Sequence, residues 1–297
     1  MVVLEFDLND RSECSSRTPA GIPLITILNY SGGKQSSALL WMLIRGDIPT
    51  PPRFHVINAD PGMEHRETYE YTEMMRAKCA DAGIDFRTVV GPNLYNDLLD
   101  MAGKVRVDNP AFFTQNEDGK EGRLMQKCTK HYKIAPMDRE VRRILNRSHG
   151  YKNRLRPNMV ERWIGFAFDE QPRISTPSQN YMYFRYPLIE MGLTRDDTAA
   201  YFSDNNIPDP PRSVCVACFA NGTDHYKWQH GNGTDDFARA VKVDDAVRDM
   251  TGVGITNPVY VHRSLVALRV MPERDFAIGT TTEERDRFAC TSGHCFL

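Results

Sequence analysis

The segment LNYSGGKQSS, Leu28 to Ser37, joins the apolar run IPLITIL to the stretch ALLWMLIRG, and this junction constrains the fold more than any other feature. A buried β-type run, a turn of small residues and a helix stopped by Gly46 make the start of a strand–helix–strand unit. The pattern then repeats. RFHVINAD and DFRTVV read as two further strands, EHRETYEYTEMMRAKCADAG as a helix ending at Gly83, and ERWIGFAF as a strand after a basic helix over residues 132–147. This alternation predicts an α/β fold, a doubly wound, mostly parallel sheet covered on both faces. In such sheets ligands collect beyond the carboxyl ends of the strands. The SGGKQSS turn, Asp60 after the second strand and Asp169 after WIGFAF all fall at such ends.

The turn suits an anion. Gly32 and Gly33 permit positive φ and close backbone approach. Successive N–H groups, backed by the positive end of the following helix, would face a phosphate. Ser31, Ser36 and Ser37 add hydroxyls, and Lys34 adds a point charge. This is not the common G-x-x-x-x-G-K-[ST] nucleotide loop, because Leu28 replaces its first glycine and Gln35 its hydroxyl residue.

A chain of 297 residues forms one large domain or one domain with an appendage. The sequence divides into an N-terminal arm (1–22), a nucleotide-binding core (23–190) and a helical, cysteine-bearing C-terminal region (191–297). TRDDTAAYFSDNN and TDDFARAVKVDDAVRDMTG read as capped helices of that last region, and IPDPPRSVCVAC as a rigid approach to a cysteine pair. No apolar run is long enough to span a membrane. The N-terminal segment carries acids early and lacks an apolar core, so it is read as an arm and not a secretory signal. Seven cysteines, an odd number spread widely, point to a reducing, cytoplasmic setting and to metal or redox roles. A net charge of -2 offers nucleic acid no bulk attraction. The stretch from Lys127 to Arg156 is nevertheless strongly basic, and is either a solvated helix face or a surface for a polyanion.

Taken together these segments resemble the PP-loop ATP pyrophosphatases of the phosphoadenosine-phosphosulfate (PAPS) reductase-like family. SGGKQSS is similar to Ser-Gly-Gly-x-Asp-Ser, and NADPGMEHRETYEY to Asp-Thr-Gly-x-x-x-x-Glu-Thr. CTKHYKIAPMDREVR resembles the family's cysteine plus basic helix, GFAFDEQPRIS its Gly-x-x-x-Asp-Glu-x-x-Arg segment, and YPLIEMGLTRDDTAAYF followed by CVAC completes the order. The resemblance spans roughly residues 24–230. It departs at Gln35, where aspartate is usual but which also resembles the sulfonucleotide reductases, and at Pro61, where threonine is usual.

The resemblance implies a HUP-like fold of the adenine nucleotide alpha hydrolase type that binds ATP with Mg2+. The ATP-binding residues would be Ser31, Gly32, Gly33, Gln35, Ser36, Ser37, Asn58 and Gly62. Lys34, Asp60, Asp169 and Arg173 would act on the phosphates: Asp60 through a magnesium-bound water or by orienting phosphate, Asp169 on magnesium, and Arg173 through a bidentate contact. A turn role for Asp60 and a surface ion pair between Asp169 and Arg173 are the plainer readings. Glu170 lies in the same segment.

Cys215 and Cys218 have C-x2-C spacing, which lets two thiolates meet one metal centre. The resemblance adds Cys128 as third member and leaves Cys290 or Cys295 as fourth. A [4Fe-4S] cluster, a structural zinc and a metal-free set of cysteines all remain open. Cys79 reads as core and Cys14 as incidental. Sulfonucleotide reductases carry a C-terminal nucleophile in Glu-Cys-Gly-x-His, whereas here the order is Gly293-His294-Cys295 without a preceding glutamate. Cys295 is therefore a candidate ligand or sulfur carrier. His131 and His225 contact phosphate or are satisfied, partly buried side chains; Tyr226 and Trp228 read as local core.

The function expected is that of an ATP pyrophosphatase that adenylates an acceptor oxygen for cysteine- or cluster-mediated sulfur insertion. The acceptor would be nucleic acid, as in DNA phosphorothioation or RNA thiolation. The second glycine of the loop, the tail and the basic segment favour this reading. Gln35 favours the alternative, a PAPS or APS reductase forming sulfite with Cys295 as nucleophile, and a nucleotide-binding regulatory subunit is a third. Candidate partners are ATP, a nucleic-acid acceptor, a cysteine desulfurase as sulfur donor, and a second copy in a homodimer; no membrane is involved.

Overall fold

The computed structural model describes residues 23–100, 110–115, 121–149 and 155–277. The arm with Cys14 and the tail with Cys290 and Cys295 lie outside the described residues. In chain order the first elements are β1 (Ile25–Tyr30), α1 (Lys34–Arg45), β2 (Phe54–Asp60), α2 (Arg66–Asp81), β3 (Asp85–Val90) and α3 (Leu94–Leu99). Next come β4 (Phe113–Gln115), β5 (Glu121–Arg123), a π-helical turn (Thr129–Ile134) and α4 (Ala135–His149). The chain continues through β6 (Val160–Ile164), a 3-10 turn (Phe168–Arg173), β7 (Met182–Arg185), α5 (Pro187–Glu190) and α6 (Arg195–Asp204). It ends in α7 (Thr223–Gly231), α8 (Asp236–Ala246) and β8 (Val259–Tyr260).

The fold is α/β. Five parallel strands are ordered β3-β2-β1-β6-β7. β1, buried at every residue, is the central strand, with Leu28 paired to Val56 on one side and Trp163 on the other. Its alternation feeds both faces. Leu28 and Tyr30 join the core under α1, α2 and α6, and Ile25 and Ile27 the core under α4. α2 presents Tyr71, Met75 and Cys79 as a single buried stripe at fourfold spacing, so Cys79 is a core residue. α6 starts in a capping box between Thr194 and Asp197.

A third core lies beyond the carboxyl ends of the strands. It gathers Leu94 and Leu98 of α3, Phe112, Tyr132, Tyr226 of α7 and Phe237 of α8. β8 pairs with β4 in a small antiparallel sheet, ordered β5-β4-β8, which ties residues 259–260 to residues 113–114. Two elements differ from their sequence-based outlines. The strand expected over ERWIGFAF stops at Ile164, because Gly165 lies against the start of α1: a Cβ there would meet Ser36 N and Cα at 3.0 Å. The basic helix begins earlier, as the π-turn at Thr129, and runs on to His149.

The chain direction diverges at β1, with β2 and β3 to one side and β6 and β7 to the other, which opens a crevice at the carboxyl ends of β1 and β6. Arg162 of β6 holds this junction. Its Nε donates to Asn29 Oδ1 of β1 at 3.1 Å and its Nη1 to Asp138 Oδ1 of α4 at 2.6 Å, with the guanidinium buried. Removing one partner of a buried pair leaves the other charge uncompensated. Arg162→Met is therefore expected to lower unfolding free energy by about 3–5 kcal/mol, measured by urea denaturation. A loss below about 1 kcal/mol, the scale of an exposed pair, would contradict this role.

Candidate functional site

At the carboxyl end of β1 the chain turns through Ser31, Gly32 and Gly33 into α1. Gly32 has φ +81, and a Cβ there would meet Thr68 Cγ2 at 3.0 Å and Thr72 Oγ1 at 3.2 Å. The turn is braced by its own hydroxyls: Ser36 Oγ donates to Gly33 O at 3.2 Å and lies 3.1 Å from Ser31 Oγ. Gly33 is the N-cap of α1, offers no capping side chain, and no acid occupies the first turn. An uncapped N-terminus with no acid in its own first turn can take an external anion. Gln35 and Ser36 belong to that first turn, whereas Ser37 is fully buried with its hydroxyl 3.2 Å from Tyr30 Oη.

The neighbouring strand ends are similarly fixed. Asn58 Nδ2 donates to Tyr30 O at 3.1 Å, joining β1 to β2. Asp60 Oδ1 accepts from the Gly62 N–H at 2.7 Å and from Tyr69 Oη at 2.8 Å. Burial and then the Asp60 carboxylate push the Tyr69 hydroxyl well above its ordinary range, so it stays a donor. Gly62 has φ +75, and an added Cβ would fall 2.3 Å from Asn93 Nδ2, which only glycine avoids. From α8, Arg239 donates to Glu64 O at 3.1 Å and Gly62 O at 3.3 Å.

The charged groups of the crevice are engaged within the chain. Lys34 Nζ donates to Asp209 Oδ2 at 2.8 Å. Asp169 accepts from Arg195 Nε at 2.7 Å and the Arg195 N–H at 3.0 Å; partial burial opposes its charge, but these contacts hold its carboxyl below the usual range. Arg173 pairs with Glu170 and lies 4.2 Å over the Phe166 ring. Asp169 and Arg173 thus have separate partners.

Beside the Asp60 turn, Cys128, Cys215 and Cys218 line one cavity with Pro61, Tyr132 and Lys133. Cys215 bridges to Glu64 in an antiparallel pair, and the Val216 N–H donates to Met63 O at 2.8 Å, so the C-x2-C segment is pinned to the loop after β2. Burial pushes Cys218 up to about 11 and Cys215 well above the ordinary thiol range, and Cys128 is raised as well. Lys133 Nζ donates to Glu64 Oε1 at 2.8 Å, and both side chains are buried. Burial opposes the ammonium, but Glu64 and the neighbouring thiols more than offset it. Among the described residues no three His, Cys, Asp or Glu side chains stand as they are in an arrangement that would hold a metal ion. The donor set is soft, three thiols beside one ammonium, which suits zinc or iron–sulfur chemistry better than a hard cation. The cavity these thiols line has a volume of about 30 Å³.

Behind the pocket lies a hydrogen-bonded chain, buried at His65, Gln229 and Asp236, of which the sequence singles out only His225, here a partly buried, satisfied side chain. Asp236 Oδ2 of α8 stands 3.2 Å from His65 Nδ1 and accepts the Arg66 N–H at 3.1 Å. His65 Nε2 lies 3.0 Å from His225 Nε2 and 3.2 Å from Gln229 Nε2, whose amide also donates to Val216 O at 3.0 Å. These hydrogen bonds lock α2, α7 and α8 around the thiol segment. Trp228, expected as local core, is 40% exposed and rests on His65 and His225, while Tyr226 is core. His131 is exposed, edge-on to Tyr132. On α4, Arg142 lies over Tyr181 and Arg143 pairs with Glu140. Tyr69, Lys133, Asp209 and the His65–Asp236 pair were not found from sequence. MEH before a helix is the one local signal for the last of these; the others depend on contacts between distant segments.

No family model matches the sequence, and no curated protein matches it. Among solved structures, the U34-tRNA thiolase NcsA from Methanococcus maripaludis with its [4Fe-4S] cluster aligns at a TM-score of 0.39 with 11% identity, over 90% of this chain and 73% of that one. Likeness at that level does not assign a family. No described helix is long and apolar enough to cross a membrane.

The buried Lys133–Glu64 pair gives a direct test of the pocket. Lys133→Met should cost about 3–5 kcal/mol by leaving a buried carboxylate without its cation. Adding Glu64→Gln should restore at least about 2 kcal/mol of that loss, giving strong coupling in a double-mutant cycle. Additive losses by chemical denaturation would contradict the pairing.

Proposed function

We propose that the chain is a PP-loop-type ATP pyrophosphatase of the PAPS reductase-like kind, which activates an acceptor oxygen for sulfur insertion. One observation carries this reading: the uncapped, acid-free start of α1 and the three-thiol pocket lie on the same carboxyl edge of the sheet, joined through Ser213, which donates to Ser31 O two residues before Cys215. The triphosphate would lie on the Ser31–Ser37 turn, with Lys34 and Arg173 as cations and Asp60 and Asp169 toward Mg2+. Positioning and charge neutralisation would then do most of the catalytic work. An acceptor oxygen attacks the α-phosphorus, pyrophosphate leaves, and a sulfur nucleophile later displaces AMP.

Cys128, Cys215 and Cys218 would hold a thiophilic metal group, a [4Fe-4S] cluster or a zinc ion, with Cys290 or Cys295 as the fourth ligand. Such a group, when bound, would hold or relay sulfur at the pocket. Lys133 beside the thiols offsets the charge that metal-bound thiolates bring. The basic π-turn and α4, with exposed Lys130, Arg139 and Arg147, support a nucleic-acid acceptor, DNA or RNA. A cysteine desulfurase would supply sulfur, in a cytoplasmic setting, and a homodimer is compatible with the scheme.

The test is pyrophosphate release from Mg-ATP, compared with DNA, with tRNA and with no acceptor. Acceptor-stimulated release, with no sulfite formed from PAPS and thioredoxin, is the expected outcome. Sulfite formation without pyrophosphate release would replace this reading with the reductase.

A further inference from the structure

Residues 208–216 cross the carboxyl edge of the sheet from the phosphate turn to the thiol pocket, touching both. Tyr71 Oη donates to Pro208 O at 3.1 Å. Asp209 Oδ2 takes Lys34 Nζ at 2.8 Å. Ser213 Oγ donates to Ser31 O, and a Cβ on Gly33 would lie 3.3 Å from Ser213 Cβ. Two residues on, Cys215 bridges to Glu64, and the Val216 N–H holds Met63 O at 2.8 Å. One short segment thus grips the turn that starts α1 and ends as a wall of the three-thiol cavity.

The composition of the segment makes it a lever. Pro208, Pro210 and Pro211 fix φ and lack N–H groups, so the backbone there neither bends easily nor joins a ladder. Between them, Asp209 presents a carboxylate to Lys34. Both side chains are exposed, and an exposed pair of this kind is weak. A triphosphate on the same turn brings several negative charges to the same ammonium and displaces one carboxylate.

We infer that residues 208–216 are a strap that couples nucleotide occupancy of the Ser31–Ser37 turn to the thiol pocket, with Asp209 as a resident anion that nucleotide displaces from Lys34. The inference rests on the reading of that turn as a nucleotide loop. When nucleotide arrives, the Lys34–Asp209 contact breaks, the Ser213–Ser31 contact loosens, and the stiff segment carries the shift to Cys215. The pocket wall at Cys215 then shifts only when nucleotide occupies the turn.

Hydrogen–deuterium exchange of the full chain, with and without a non-hydrolysable ATP analogue and Mg2+, tests the coupling alongside calorimetry. The analogue is expected to speed exchange at the amides of Arg212 to Val216. Asp209→Asn is expected to do so partly without nucleotide and to tighten analogue binding by about two- to fivefold, the scale of a lost exposed ion pair. Measurable analogue binding with unchanged or slower exchange at those amides overturns the strap and leaves the nucleotide loop standing. Unchanged or weaker binding by the Asp209→Asn protein also overturns it. No analogue binding at millimolar concentration overturns both the strap and the nucleotide reading.

Discussion

Close backbone packing at the carboxyl end of β1 sets the position of the turn that starts α1. Gly165 at the exit of β6 comes so near the first turn of α1 that a Cβ would lie 3.0 Å from the Ser36 backbone, and a Cβ on Gly33 would lie 3.3 Å from Ser213 Cβ. Side chains at either glycine would push α1, β6 and the proline-rich segment apart. Without them, the N–H groups that begin α1 face the crevice where the sheet's chain direction diverges. This geometry favours an anion because partial positive charge is concentrated there and no acid of the first turn neutralises it.

The second constraint is electrostatic. The thiol pocket contains a buried ion pair, Lys133 with Glu64, next to three neutral thiols. A buried pair contributes little net stability over an apolar substitute but is costly to break. It therefore serves better as a fixed charge for the pocket than as a source of stability. The Asp236–His65–His225 chain and Arg239 hold the loop after β2 from behind, so the pocket wall and the Asp60 turn are parts of one braced unit.

The fold was legible because parallel strands buried on both faces read as continuous apolar runs, as in ITIL and FHVIN, and because Gly46 and Gly83 follow helices. The turn of residues 31–37 was legible as local chemistry, small residues and a lysine between strand and helix. Lys133 was not, since a lysine in a basic stretch reads as solvated until Glu64 is seen to bury it. Asp209 read only as part of a proline-rich approach because its partner Lys34 lies far away in sequence. Trp228 was misread for a related reason: its helix has little hydrophobic asymmetry, so buried Tyr226 and exposed Trp228 look alike in sequence.

The proposed function requires nucleotide phosphate and thiol chemistry to meet at one edge of the sheet. A crystal structure of the full chain with a non-hydrolysable ATP analogue and Mg2+ tests it most directly. The triphosphate is expected within hydrogen-bonding distance of the backbone N–H groups that open α1, with the α-phosphorus turned toward Asp60 and the thiol pocket. An analogue bound elsewhere on the chain, or a triphosphate on the turn with its α-phosphorus directed away from the pocket, would contradict the claim.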